Sequence, residues 1–299
     1  MKKILWLSKR VNSNPSKLVK KLNLLSRKED GNDLYTQIDY QDIIIKLDVK
    51  DNVVLANEVN ILDYDLIFFR NWRKYQPLAT ALALFLESHN KKFIDKAAGS
   101  SKSGNKILQM MMLSLNNLPI PKSLFVVNFK NLSRIKAHLE GFLEYPYVIK
   151  AASSRLGRNN HLVKDSKEFD NLLTNLNKKS GYLIQEFIPN SFDYRLLVLG
   201  GEVKVAERNI RGNSHIHLNN PAQGSREEFI QLSEVPDLIP LAIDATKLFG
   251  RQIAGVDIVV STLTNKPYIL EVNPSPGISY NHPSSTEVAE LHTYLKSLI

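Results

Sequence analysis

The chain has 299 residues, 43% of them hydrophobic, with 39 Lys and Arg against 30 Asp and Glu, a net charge of +9 and a pI of about 9.4. It contains no cysteine, which excludes disulfides, thiolate metal sites and cysteine nucleophiles. No apolar run approaches the ~18 residues of a membrane span, and Ile4-Leu-Trp-Leu7 after two lysines is too short for a signal peptide, so a cytoplasmic protein with no membrane partner is expected.

The first hundred residues alternate short apolar runs (Ile4 to Leu7, Asp42 to Leu47, Leu66 to Phe69, Phe93 to Asp95) with helical stretches around Ser16 to Ser26 and Leu78 to Leu86. That alternation predicts a small α/β unit with a largely parallel sheet. Residues 97–104 are small, polar and glycine-bearing and read as a linker, which sets a first domain over 1–100. A helix from Lys106 to Leu115 follows, stopped by Asn116 to Pro121. Strands are predicted at Leu124 to Val127, Tyr147 to Lys150, His161 to Val163 and Tyr182 to Phe187, with helices near Leu132 to Leu139 and Glu168 to Asn175. These define a second unit, 101–185.

Two segments of that unit suit a nucleotide. Lys150 ends an apolar strand before a loop containing Ser153, Ser154, Arg155, Gly157 and Arg158. A lysine beside a small-residue loop can set its ammonium and several backbone N–H groups around phosphates; the plain alternative is a hairpin loop with a snorkelling lysine. The strand Tyr182 to Phe187, ending at Pro189, can offer main-chain groups to an adenine edge. Asp193 and Arg195, two apart at the next strand's start, point the same way, as a site pair or as a surface salt bridge.

The third unit, 186–299, is richer in strands. Leu196 to Ala206 reads as a hairpin about Gly200-Gly201, and Leu238 to Phe249 as a helix. Two apolar strands then each hold a carboxylate: Ile253 to Val260 with Asp257, and Tyr268 to Asn273 with Glu271. The turn between them predicts a hairpin with Asp257 opposite Glu271 and Asn273 on Glu271's face. Like charges facing across a ladder repel. A divalent cation resolves this, and two carboxylates with an amide suit Mg²⁺ completed by substrate phosphates; the alternative is that both acids point to solvent.

In order, Lys106, Lys150, Gln185-Glu-Phe-Ile, Asp193-Tyr-Arg195, Ala254-Gly-Val-Asp257 and Glu271-Val-Asn-Pro-Ser-Pro-Gly277 resemble the ATP-grasp superfamily over about residues 100 to 280, most of all its RimK-like glutamate-ligase and glutathione-synthetase branch. The resemblance implies an α/β (α+β) ATP-grasp fold behind an N-terminal parallel-sheet domain, with ATP and Mg²⁺ (or Mn²⁺) as cofactors. By position, Lys106 and Lys150 are implied to contact phosphates, Glu186 and Phe187 to flank adenine, and Asp193 to hold the nucleotide. Asp257, Glu271 and Asn273 are implied metal ligands. Asn219 matches a phosphate-side asparagine. His217 stands where the family has a phosphate-facing arginine, so the histidine, Arg208 or Arg211 takes that role.

The activity implied is amide formation through an acyl-phosphate between a small carboxylate or peptide and an amine, with a small-molecule kinase as the alternative. The basic excess fits phosphates and acidic substrates. Arg70, Trp72 and Arg73, after the strand Leu66 to Phe69, are candidate substrate contacts, with a surface role for Arg70 equally open. The lysines are scattered and lack an RNA- or DNA-binding signature, so nucleic acid is not expected. A homo-oligomer stays open.

Overall fold

A computed structural model describes residues 2–9, 15–50, 52–99, 106–129, 132–152, 160–176, 181–210 and 226–299. Its first part runs β1 (Ile4–Leu7), α1 (Lys17–Asp30), β2 (Tyr35–Ile38), β3 (Ile43–Lys46), β4 (Val53–Ala56), β5 (Val59–Asn60), β6 (Leu66–Phe69), α2 (Gln76–Ser88) and β7 (Lys92–Ile94). Strands β2-β1-β6-β7 form a parallel sheet, and β1 and β6 are buried along their whole length. Flanking by strands on both edges and cover on both faces is why these runs are continuously apolar rather than alternating. Helix α1 starts where the Ser16 hydroxyl accepts from Val19 N at 3.4 Å and stops at Gly31, whose φ of 76° favours glycine.

Two expectations for this part need correction. The run Asp42 to Leu47 does not join the parallel sheet: β3, β4 and β5 form their own antiparallel meander, and Tyr35–Ile38 takes the fourth parallel position. Nor is 97–104 a linker from its first residue. Ala97 and Ala98 are 4% and 0% exposed, and the Thr80 hydroxyl donates to Ala98 O at 3.0 Å, so the small side chains there serve close packing on α2.

The middle part comprises α3 (Lys106–Leu115), β8 (Ser123–Val126), α4 (Leu132–Leu139), β9 (Tyr147–Ala151), β10 (Asn160–Val163), α5 (Ser166–Asn175) and β11 (Tyr182–Glu186). Its antiparallel sheet, ordered β10-β9-β11-β8, buries Tyr147, Ile149, Tyr182 and Ile184 against α4 and α5, which turns Val148, Lys150, Leu183 and Gln185 to the other face.

The last part comprises β12 (Phe192–Leu199), β13 (Glu202–Ile210), β14 (Arg226–Ile230), α6 (Leu238–Leu248), β15 (Ile253–Val260), β16 (Pro267–Asn273) and α7 (Glu287–Ser297). The sheet order is β14-β13-β12-β15-β16, all antiparallel. Gly200 and Gly201, with φ of 62° and 89°, make the tight β12–β13 turn. One face packs on α6 through Leu196, Val198, Ala206, Val256 and Ile258. On the other, Leu197, Leu199, Val205 and Ile253 meet α7 and the first sheet. A buried Arg251–Asp95 ion pair also ties the last part to the first.

Candidate active site

Beyond that apolar patch the same face turns polar. Register places Arg195 beside both Glu207 and Asp257, and Asp257 opposite Glu271, with Asn273 one pleat further along β16. A register shift follows between Asp257 and Ile258, a bulge of the kind that re-aims side chains at functional edges. Arg195 grips the Asp257 carboxylate through Nε at 2.7 Å and Nη2 at 3.1 Å, and Asn273 Nδ2 donates to Asp257 Oδ2 at 2.9 Å. Asp257 is thereby fixed in orientation by a fork of charge-assisted bonds.

The charges across the cleft belong to the same group. Burial and the Asp257 charge push the Glu271 carboxyl above the ordinary range, against the pull of Lys106, Lys150 and Arg195. Burial lowers Lys106, offset by Glu271. Lys150 is pushed down to about 8 by burial first and by Lys106 second, opposed by Glu271, Asp193 and Asp257. Glu271 thus feels Lys106, Lys150, Arg195 and Asp257, and Lys150 also feels Asp193 and Asp257, though these groups come from α3, β9, β12, β15 and β16.

Among the described residues no three His, Cys, Asp or Glu side chains cluster as a metal cage. Two carboxylates and an amide are instead the donor set of a site completed by substrate phosphates, as Mg²⁺ prefers. Asp257 and Glu271 face each other in register with Asn273 on the same face, and burial first and the Asp257 charge second push the Glu271 carboxyl up, so the donor set fits the ion.

Two buried glutamines hold this geometry. Gln109, one turn after Lys106 on α3, donates Nε2 to Val272 O at 3.0 Å and accepts from Val272 N at 3.1 Å. Because β16 is the edge strand, that side chain does the work of a missing neighbour strand, between Glu271 and Asn273. Gln185 accepts from Lys150 Nζ at 2.7 Å and donates to Ser123 Oγ at 2.8 Å, which aims the lysine.

The description "RimK-like ATP-grasp domain" matches residues 103–291. The chain belongs to the RimK-like ATP-grasp family. It is 28% identical over 219 residues to a probable alpha-L-glutamate ligase of Rhodopirellula baltica, across 72% of this chain and 52% of that one. A protein of the same name from Marinomonas sp. is 28% identical over 218 residues, across 72% and 70%. The chain thus spans about half the length of the first of these relatives. In fold it resembles the ATP-grasp ligase PsnB complexed with a minimal precursor (TM-score 0.72, 17% identity, 100% of this chain and 99% of that chain). It also resembles D-alanine–D-alanine ligase from Bacillus anthracis complexed with ATP (TM-score 0.63, 17% identity, 100% and 95%).

The remaining residues predicted from sequence divide three ways in this ATP-grasp chain. Glu186 and Phe187 lie at the passage from β11 toward β12, where Glu186 N donates to Lys122 O at 2.9 Å, Lys122 N to Glu186 Oε2 at 3.2 Å, and Phe187 N to Pro146 O at 3.3 Å. Arg208 is not brought to the carboxylate face. It pairs in register with Tyr194 and Glu228 on the opposite side of the sheet, bonding Glu228 at 2.8 and 3.1 Å and lying 3.6 Å from Glu234. Ser153, Ser154, Gly157, Arg211, His217 and Asn219 fall outside the described residues.

Sequence reasoning missed Gln109, Glu207 and Asn209, and gave no role to Gln185 or Gly255, which it quoted only inside motifs. Glu207 and Asn209 share Arg195's face, and Glu207 Oε1 and Asn209 Oδ1 are buried without a hydrogen bond among the described residues. Burial, opposed by Arg195, pushes the Glu207 carboxyl up to about 8. The period-two run Val205, Glu207, Asn209 was their available signal. At Gly255 a Cβ would lie 2.9 Å from Pro276 Cβ, so the bare backbone lets the Pro274–Gly277 loop seat on β15.

Proposed function

We propose that this chain is an ATP-dependent carboxylate–amine ligase acting on an amino acid or peptide. The reading rests foremost on one observation: Glu271 and Asp257 face each other on a rigid ladder within the field of Lys106 and Lys150. Family membership and relatives named as ligases favour it over a kinase. Mg²⁺, or Mn²⁺ in its place, held by Asp257, Glu271 and Asn273, would supply charge neutralisation at the ATP phosphates.

In the first step a substrate carboxylate oxygen attacks the γ-phosphorus, the bond to the β,γ-bridging oxygen breaks, and ADP leaves. In the second an amine nitrogen attacks the acyl carbon, loses its proton, and inorganic phosphate departs as the amide forms. No protein nucleophile is required, in keeping with a chain that has no cysteine. The residues act by placement and charge: Lys150, aimed by Gln185, and Lys106 take the phosphates, Arg195 keeps Asp257 oriented, and the strand junction at Glu186 and Phe187 takes the adenine.

The test is ADP release against a panel of amino acids and short peptides, with hydroxylamine present to trap acyl-phosphate. A hydroxamate formed only with ATP and a particular carboxylate is the expected product; a phosphorylated alcohol without hydroxamate would refute the ligase reading. Glu271→Gln should abolish ADP release at millimolar Mg²⁺ while the chain stays folded.

A further inference from the structure

A cavity of about 580 Å³ lies at the carboxyl ends of β1 and β6, bounded by Lys9, Lys17, Arg70 and Asn71 on one side and by the Gly277–Tyr280 loop on the other. This is within the ~300–1,000 Å³ range of small-molecule sites and at the crevice where an open parallel sheet receives ligands. Among the described residues its lining includes three cations and no Asp or Glu. The amino end of α1 also opens on it through Ser16, adding a positive dipole end to those side chains.

Arg70 is the built part of this wall. Its backbone is clamped, N to Leu7 O at 2.9 Å and the Tyr40 hydroxyl to its O at 3.2 Å. Its guanidinium lies 5.7 Å from the Trp6 ring centroid, and Nη2 donates to Pro276 O at 2.5 Å. Among the described residues, Nη1 is buried with no hydrogen-bond partner and no carboxylate lies within ion-pair distance of Arg70. Glu287, the acid whose field it feels, is itself engaged by Ser279 N at 2.6 Å. A pinned guanidinium with an unspent donor, within cation–π distance of an aromatic ring, is arranged to receive a planar anion.

Resting on the ligase reading, we propose that this cavity binds the free carboxylate of an amino acid or peptide substrate, the one that is not phosphorylated, with Arg70 as its main contact and Lys9 and Lys17 as supporting charges. The loop wall begins just beyond Asn273, and Arg70 holds that loop through Pro276 O. A substrate anchored there by one end is presented toward the paired carboxylates with the other.

The experiment is calorimetric binding of L-alanyl-L-glutamate and of its α-amide to the nucleotide-free chain, with ADP binding and hydroxamate formation measured in parallel. The free acid should bind about tenfold or more tightly than the amide, as expected for a charge-assisted bond. Arg70→Gln should erase the difference while ADP affinity stays unchanged. Lys17→Gln, on an exposed position, should weaken the acid alone and reduce its salt dependence, and this variant decides the matter if Arg70→Gln fails to fold. No saturable binding, equal binding of acid and amide, or a preference that survives loss of Arg70 overturns the assignment. Hydroxamate formation without acid preference defeats this site and leaves the ligase reading standing; acid preference without hydroxamate does the reverse.

Discussion

Replacing Gln109 with methionine keeps the length of the side chain and removes both of its bonds to Val272. Gln109 and Val272 are 4% and 2% exposed, so water does not readily replace the lost partners. Each orphaned backbone group costs about 1–3 kcal/mol, partly offset by burying an apolar side chain, which leaves an expected loss of about 2–4 kcal/mol. The second effect is on the site: Val272 lies between Glu271 and Asn273, the proposed metal ligands, and losing a group that orients such ligands typically weakens metal affinity about 10- to 100-fold. Urea unfolding should show a lower midpoint with an unchanged slope, and the Mg²⁺ concentration giving half-maximal ADP release should rise at least about tenfold. A variant with the native urea midpoint and the native Mg²⁺ midpoint would refute the view that Gln109 stands in for a neighbouring strand.

Lys150, at about 8 against an ordinary 10.5, should make ADP affinity fall as pH rises through that value, because the phosphates need the ammonium; Lys150→Arg should flatten the profile in calorimetry between pH 7 and 9. For the nucleotide-free chain the sign is opposite: the unfolded lysine holds its proton up to 10.5, so this group's contribution to stability rises with pH between about 8 and 10.5, measurable as an increasing urea midpoint that Lys150→Met removes. Gly255→Ala places a methyl 2.9 Å from the Pro276 ring and should cost about 1–3 kcal/mol in thermal unfolding while raising KM for Mg·ATP; unchanged values for both would show that the loop yields freely. Arg251→Met leaves Asp95 buried without its cation and should destabilise by about 3–5 kcal/mol, read as a drop in the urea midpoint; a neutral result would mean that the carboxyl takes up a proton at no cost.

The elements legible from sequence are those whose pattern has a local cause. Helix α3 spans the residues expected of it, since apolar spacing begins at Lys106 and Asn116 to Pro121 ends it. The carboxylate strands were legible because acids inside apolar runs are conspicuous, and the short turn between them sets their register. Strand β2, with Thr36 and Gln37 inside it, and helix α7, which buries Glu287 and His292 beside Leu291 and Leu295, were not. Their polar residues are buried because distant partners satisfy them: Gln37 donates to Ser8 Oγ at 2.7 Å, and His292 Nδ1 lies 2.8 Å from the Tyr35 hydroxyl. A sequence window contains neither partner.

The site divides along the same line. Asp257, Glu271 and Asn273 stand close together in sequence, and alternation along two strands puts them on one face, so the sequence by itself determined the candidate metal ligands. Which basic groups join them was decided in three dimensions. Arg195 and Arg208 both lie on strands of the same sheet, yet the pleat turns Arg195 to Asp257 and Arg208 away to Glu228. Gln109 reads as an ordinary polar residue, and Gln185 as a motif member without a role, until folding buries them against Val272 O and Lys150 Nζ. A buried polar group must find its partner wherever the fold brings one, and that pairing depends on packing between elements far apart in the chain.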